Sequence, residues 1–181
     1  INVTNLFSKK NFYYYKCQDL GTIFANPRPT ASILKKFYSN SKSNEFWYNE
    51  FYLPKLKNRI LKSIVPKVKH LTKNFKNYNN KKILDVGCGA GYFLVELKKK
   101  WKNSKLYGLE PSLTMSKEAT KKDIKVFCNT VEKFKKNNYF DVVCCFELFE
   151  HLYDPLLFLK KINKLLKKNG IIFFSTLNGK G

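Results

Sequence analysis

Ile83-Leu-Asp-Val-Gly-Cys-Gly-Ala-Gly-Tyr-Phe93 decides the fold. A short apolar run that includes Asp85 meets glycines at 87, 89 and 91, and an amphipathic stretch follows. A strand, a glycine turn and a helix in that order mark a place where backbone comes close to a ligand. Glycine permits the tight turn, and the missing side chains leave the loop open. Downstream, short apolar runs alternate with segments of helical periodicity, the signature of βαβ units around a parallel sheet. Strands are expected near residues 82–87, 105–110, 124–128, 140–146 and 170–177. The first helix is expected near 91–101, with Phe93, Leu94, Leu97 and Trp101 on one face. A later one near 155–168 opens with Pro155, repeats Leu156, Leu159, Ile162, Leu165 and Leu166, and ends at Gly170.

Glu110 closes the next strand, in Leu106-Tyr-Gly-Leu-Glu-Pro111, where a carboxylate can accept hydrogen bonds from both hydroxyls of a ribose. Nicotinamide dinucleotides use a related arrangement. Their fingerprint requires glycine at the first, third and sixth positions, here Gly87, Gly89 and Tyr92, and Tyr92 breaks it. A cofactor without a pyrophosphate has no need of that third close approach.

The spacing Asp85, Gly87, Gly89, Gly91 resembles the first motif of class I S-adenosylmethionine-dependent methyltransferases. Phe140-Asp-Val-Val-Cys-Cys-Phe-Glu-Leu-Phe-Glu-His-Leu-Tyr-Asp-Pro155 resembles the fourth-strand motif of the subgroup that carries a Glu-His pair there. Leu165-Leu-Lys-Lys-Asn-Gly-Ile-Ile-Phe-Phe-Ser-Thr-Leu-Asn178 is similar to the fifth-strand motif, with Lys168 and Asn169 where Pro and Gly are commoner. The resemblance covers about Lys81 to Asn178. It implies an α/β fold with a doubly wound, mainly parallel Rossmann-like sheet of strand order 3-2-1-4-5. It further implies an S-adenosylmethionine-binding domain at 81–181. Asp85, Gly87, Gly89 and Gly91 would face the methionine end, and Glu110 the ribose. Pro111, Thr130 and Val131 would lie by the adenine, Thr130 standing where the family often has Asp. Phe146 would line the pocket near the sulfonium.

Methyl transfer from a sulfonium is an in-line displacement in which positioning provides much of the acceleration. A base is required only where the acceptor must lose a proton. His151 is the natural candidate, since its unperturbed pKa lies near neutrality, and Glu147 is the second. The alternative for His151 is structural, with Glu150, in orienting the segment before Asp154 and Pro155. One Glu-His pair is far from a metal-ligand set, and no metal is expected.

Residues 1–80 have another texture and are expected to form an N-terminal hairpin and helical cap that covers the acceptor site. Phe12 to Phe24 reads as two short strands around a turn near Asp19 to Gly21, and Asn26-Pro-Arg-Pro29 halts it. Thr30 or Ser32 starts a short helix ending near Ser39. Phe46, Trp47, Phe51, Leu56, Ile60, Ile64, Val68 and Leu71 suggest one or two amphipathic helices interrupted by Pro54 and Pro66. Asn74 to Lys82 reads as a polar connection. This region resembles a small zinc module of some bacterial members of the subgroup, but Leu20 replaces the second Cys beside Cys17. Cys17 alone cannot assemble a four-ligand site.

The formal net charge is +22 on 181 residues. Nearly all cations are Lys, with Arg only at 28 and 59, amid heavy use of Asn, Ile, Phe and Tyr. That pattern fits an AT-rich coding sequence with lysines on solvated faces, so nucleic acid is not an expected partner. There is no apolar run of the roughly 20 residues a membrane span requires. Five cysteines in no disulfide framework fit a reducing cytoplasm. The apolar Ile171 to Leu177 is followed by four residues, so a sequence truncated at its carboxyl end, with the last strands missing, is expected. The composite expectation is a cytoplasmic methyltransferase acting on a small molecule, with a hydroxyl on a sugar or cell-surface precursor as the leading acceptor. A nucleic-acid or protein methyltransferase and a non-catalytic module of the same fold are the alternatives.

Overall fold

The computed structural model describes residues 2–9, 11–40, 42–75 and 80–177. The chain forms two compact units, Ile1–Lys35 and Lys36–Gly181. In the first, β1 (Val3–Lys9), β2 (Phe12–Cys17) and β3 (Ile23–Asn26) make an antiparallel sheet in that order. β2 and β3 are the two expected strands, while β1 was not expected. Every residue of β1 is exposed, so its side chains carry no buried alternation. Its order comes from pairing, with Val3 opposite Cys17 and Lys9 opposite Phe12, and from Phe7 stacked on Tyr14 at 4.7 Å. Helix α1 (Ala31–Asn40) follows Thr30, whose Oγ1 accepts the Ile33 N–H at 3.3 Å and caps it.

The second unit opens with a nearly continuous helical run. α2 (Lys42–Trp47) passes through a wide turn at Tyr48–Tyr52 and a tight one at Leu53–Lys55 into α3 (Leu56–Arg59). A second wide turn at Ile60–Ile64 leads to α4 (Val65–Asn74). The expected interruptions at Pro54 and Pro66 are changes of pitch rather than breaks. Each proline lies in the first turn of its segment, just after a wide turn, where the hydrogen-bonding pattern already changes. The expected connection 74–82 falls partly outside the described residues.

Five strands then build a parallel sheet: β4 (Lys82–Val86), β5 (Lys105–Leu109), β6 (Lys125–Phe127), β7 (Phe140–Phe146) and β8 (Leu166–Ser175). Their order is β6-β5-β4-β7-β8, and each adjacent pair is parallel. Helices α5 (Tyr92–Lys100), α6 (Leu113–Thr120) and α7 (Pro155–Leu165) provide crossovers. Apolar side chains leave the central strands on both faces, as a doubly covered sheet requires. Ile83, Val142 and Cys144 meet Val68 and Leu71 of α4 and Phe93, Leu94 and Leu97 of α5. Leu84, Val143 and Cys145 meet Phe158, Ile162 and Leu165 of α7. Each fully buried Leu or Ile among these removes enough apolar surface from water to contribute about 2 kcal/mol.

Helix α7 ends at Leu165 rather than near 168, and β8 starts at Leu166 rather than 170. Leu166 pairs with Phe140, but Ile171 already pairs with Val142, so Lys167–Gly170 bulge out of the ladder. Asn169 takes φ 65° there. Lys167 Nζ reaches both carboxylate oxygens of Asp141, at 2.9 and 3.0 Å, and Asp141 also accepts the Lys82 N–H at 2.8 Å. The basic run therefore pins a bulge instead of ending a helix. All five strands present their carboxyl ends at one edge, where open parallel sheets bind ligands.

Candidate active site

The turn after β4 is tied to its neighbour strand. The Gly87 and Cys88 N–H groups both donate to the Leu109 carbonyl, at 2.8 and 3.3 Å. Two of its glycines have different roles. At Gly91, with φ +80°, a Cβ would come within 2.8 Å of Ile124 Cδ1 and 3.0 Å of Ala119 Cβ, so this glycine lets α5 start against α6. At Gly89, with φ +52°, a Cβ would meet nothing within 4 Å, so this position faces open space. Gly87 lies against Leu148, whose methyl carbon is 3.5 Å from where a Cβ would stand.

Two carboxylates flank this turn. Asp85 is 3% exposed and Glu110 8% exposed. Burial pushes the Asp85 carboxyl well above its ordinary range, the charge of Glu110 adds to the rise, and Lys67 opposes it. Burial also raises Glu110, against two backbone N–H bonds that favour its charge. These are Gly89 N–H to Oε2 and Ser112 N–H to Oε1, both at 2.9 Å. Glu110 thus clamps the glycine turn to the start of α6, a fold role that its sequence neighbours do not reveal. Each oxygen keeps a lone pair for a further donor. Pro111, next in the chain, and Thr130 are half-buried, and the Thr130 N–H donates to Asn129 Oδ1 at 2.9 Å. Val131 is a core residue, packed in the cluster that holds Leu84 and Phe158.

Beyond β7 the half-buried Phe146 ring lies 4.5 Å from Phe93 and 5.7 Å from Phe173. Lys67 of α4 places its Nζ 5.0 Å from the centre of that ring and 3.3 Å from Glu147 Oε1. Glu147 takes φ 50° and accepts the Ser175 hydroxyl at 2.7 Å. The Ser175 bond, with Lys67 beside it, holds the Glu147 carboxyl below its ordinary pKa and makes it a weak proton acceptor. His151 sits in the short turn Phe149–His151, its Nδ1 3.0 Å from the Tyr38 hydroxyl. Glu150 accepts the Thr176 hydroxyl at 2.9 Å, and Asp154 caps α7 through the Leu157 N–H at 2.8 Å. The capping role thus belongs to Asp154. His151 is left exposed, with Nε2 opposite its Tyr38 contact.

The helical run roofs the turn with aromatic rings. Tyr48 packs with Ala90 and Met115, and its hydroxyl is 3.2 Å from that of Tyr92. Tyr52 stacks on Tyr48 at 5.7 Å and on Tyr92 at 6.0 Å. Lys67, Tyr38, Tyr48, Tyr52 and Ser175 were not singled out from the sequence. For the three tyrosines the only early signal was the density of aromatic residues between 38 and 52; Lys67 and Ser175 gave none. Among the described residues no group of three or more His, Cys, Asp or Glu side chains is arranged to hold a metal ion. Among them, too, no helix is long and apolar enough to cross a membrane.

A parallel sheet with a glycine turn after its central strand and an acid ending the next defines a class, and comparison with known proteins agrees. Residues 53–180 match the family model described as methyltransferase domain, and the chain belongs to that family. It is 35% identical over 108 residues to a ubiquinone biosynthesis O-methyltransferase of Actinobacillus pleuropneumoniae serotype 7 (strain AP76), covering 54% of this chain and 46% of that protein. A protein of the same description from Pelagibacter ubique (strain HTCC1062) is 34% identical over 139 residues, covering 72% of this chain and 54% of the other. The chain thus spans about half the length of these curated relatives. Among solved structures, the plantazolicin methyltransferase BpumL in complex with a triazolic desmethylPZN analog and SAH superposes with TM-score 0.64. It is 20% identical and covers 80% of this chain and 57% of its own. That likeness concerns the fold.

Proposed function

We propose that this chain binds S-adenosylmethionine at the carboxyl edge of the sheet and directs its methyl group to a hydroxyl of a small molecule, such as a sugar or cell-surface precursor. The observation that carries this reading is the pair of buried carboxylates, Asp85 and Glu110, flanking open space at Gly89. Both are held above their ordinary pKa, so each gains from a cationic or hydroxyl-bearing partner. The five-stranded parallel sheet ordered β6-β5-β4-β7-β8, of Rossmann-like α/β type, supports the reading. The printed descriptions of the curated relatives support an oxygen acceptor.

The bound cofactor supplies an electrophilic methyl group. Asp85 and Lys67 suit the ammonium and carboxylate of its methionine end, Gly87 and Gly89 offer backbone without side-chain bulk, and Gly91 holds the turn against α6. Glu110 takes the ribose hydroxyls with the lone pairs its clamp leaves free. Pro111 and Thr130 line the adenine side, and Val131 supports them from the core. Phe146, packed on Phe93, sets an apolar wall. His151 is the base, its Nδ1 fixed by Tyr38 so that Nε2 can accept the acceptor proton; Glu147 anchors Lys67 instead. The helical run Lys42–Asn74 forms the roof of the acceptor side. Five cysteines without a disulfide among the described residues suit the cytoplasm.

Isothermal titration with S-adenosylmethionine and with S-adenosylhomocysteine tests the proposal. Micromolar binding of both, lost in Glu110→Ala, is the expected result. Absence of binding by either would sink it.

A further inference from the structure

Only two of the 35 basic residues of this chain are arginines, and one of them, Arg59, is built into the roof. Its guanidinium carbon lies 4.8 Å from the centre of the Tyr52 ring and 5.1 Å from that of Trp47. Aromatic faces satisfy the flat sides of a guanidinium and leave its N–H edge for a planar acceptor. The Nε–H of that edge lacks one. Among the described residues Arg59 Nε is buried with no hydrogen-bond partner, and it is the only such side-chain atom. Arg59 as a whole is only half-buried, and a buried donor without an acceptor is a situation native structures avoid. The ion pairs Lys67–Glu147, Lys99–Glu96, Lys121–Glu118 and Lys167–Asp141 leave Arg59 out.

The position of this donor is what gives it meaning. Tyr52 bridges Arg59 and Tyr92, and Tyr92 begins α5 directly after Gly91. The charge of Asp85 is felt at the Tyr52 phenol, so the same ring lies within electrostatic reach of both the buried carboxylate and the guanidinium. Lys67 already provides a cation on the Phe146 and Glu147 side. Lys67 is tied to a carboxylate, whereas Arg59 keeps an unmet Nε–H, so the two cations suit different ligands.

We infer that Arg59 recognises an oxyanion, a carboxylate or a phosphate, carried by the methyl acceptor, which places the acceptor among acidic hydroxylated small molecules. The inference rests on the methyl-transfer function proposed above. The alternative source of the same chemistry is the methionine carboxylate of the donor, and binding measurements separate the two.

Wild-type protein saturated with S-adenosylhomocysteine is titrated by calorimetry with benzoate, phenyl phosphate and the uncharged benzamide. Saturable binding of benzoate or phenyl phosphate, at least tenfold tighter than benzamide, is expected. Arg59→Gln should remove that preference and Arg59→Lys should keep part of it, while affinity for S-adenosylhomocysteine stays within about twofold in both. Equal binding of the three probes by wild type, or no binding of either anion, overturns the inference even where a variant fails to fold. So does a preference that survives in a folded Arg59→Gln. A tenfold loss of S-adenosylhomocysteine affinity in Arg59→Gln assigns the guanidinium to the donor and also overturns it. Wild-type protein that binds no S-adenosylhomocysteine fails the underlying function instead, which distinguishes the two failures.

Discussion

Glu110 accepts the N–H of Gly89 on one carboxylate oxygen and that of Ser112 on the other, both at 2.9 Å. One buried side chain therefore sets the shape of the glycine turn and the start of α6 together. Replacing it with Ala leaves the buried Ser112 N–H and the part-buried Gly89 N–H without this acceptor, at a cost of about 1–3 kcal/mol. Glu110→Ala should lower the thermal midpoint and weaken S-adenosylhomocysteine binding at least tenfold. Gln should restore stability in part, because one oxygen remains to accept while its amide opposes the second N–H. Unchanged affinity in a folded Glu110→Ala would remove this residue from the site.

Gly89 and Gly91 should respond differently to the same substitution. Gly91→Ala drives a methyl group into Ile124 and Ala119, and overpacking of that kind costs about 1–3 kcal/mol before the strain at φ +80° is added. Gly89→Ala meets no neighbour and should cost only the left-handed backbone strain, about 1 kcal/mol. Scanning calorimetry should rank Gly91→Ala as the less stable. Titration should rank Gly89→Ala as the weaker binder for its remaining stability.

The buried carboxyl of Asp85 gives the ligand-free protein a pH dependence. The folded state holds this proton more tightly than the unfolded chain, so stability falls as pH rises from the ordinary carboxylate range, about 4, to the raised folded-state value. Above that value the whole penalty is present. Asp85→Asn should flatten that part of the slope and raise the melting temperature at neutral pH, yet bind S-adenosylhomocysteine more weakly. Glu110, raised in the same direction, keeps its own share of the slope in this variant. A melting temperature that falls in a correctly folded Asp85→Asn would contradict the burial account.

His151 and Glu147 are separated by their partners. With a proton-accepting role, His151→Ala should lower kcat by about 10²–10⁴ and leave donor affinity unchanged. Tyr38→Phe, which frees Nδ1, should lower kcat less. Glu147→Gln, which releases Lys67, should act chiefly on donor affinity. Single-turnover rates set beside binding constants would show whether those effects divide as stated.

Much of the sheet unit was legible from sequence because its central strands are buried on both faces and read as unbroken apolar runs. The start of β8 was not, since Lys167 to Gly170 look like a helix end when the pull of Asp141, 26 residues earlier, is unknown. β1 escaped because exposed strands lack alternation. In the candidate site, Asp85, Glu110 and the glycines were visible as a local motif. Lys67 and Tyr38 meet their partners from 80 and 113 residues away, and no local pattern records such a contact. Gly91 looked like one more ligand-facing glycine, and only the placement of Ala119 and Ile124 shows it as a packing contact.

The ammonium of Lys67 rides on α4, whereas the carboxylate it meets stands at the end of β7 and is steadied by Ser175 of β8. The site is therefore bipartite, drawing on α4 from one side and on the ends of β7 and β8 from the other. By reciprocity, any ligand that draws on Lys67 tightens the seating of α4 by the same free energy that a seated α4 lends to the ligand. Occupancy of the cleft and resistance of the helical run to proteolysis should thus rise together, as two readings of one equilibrium.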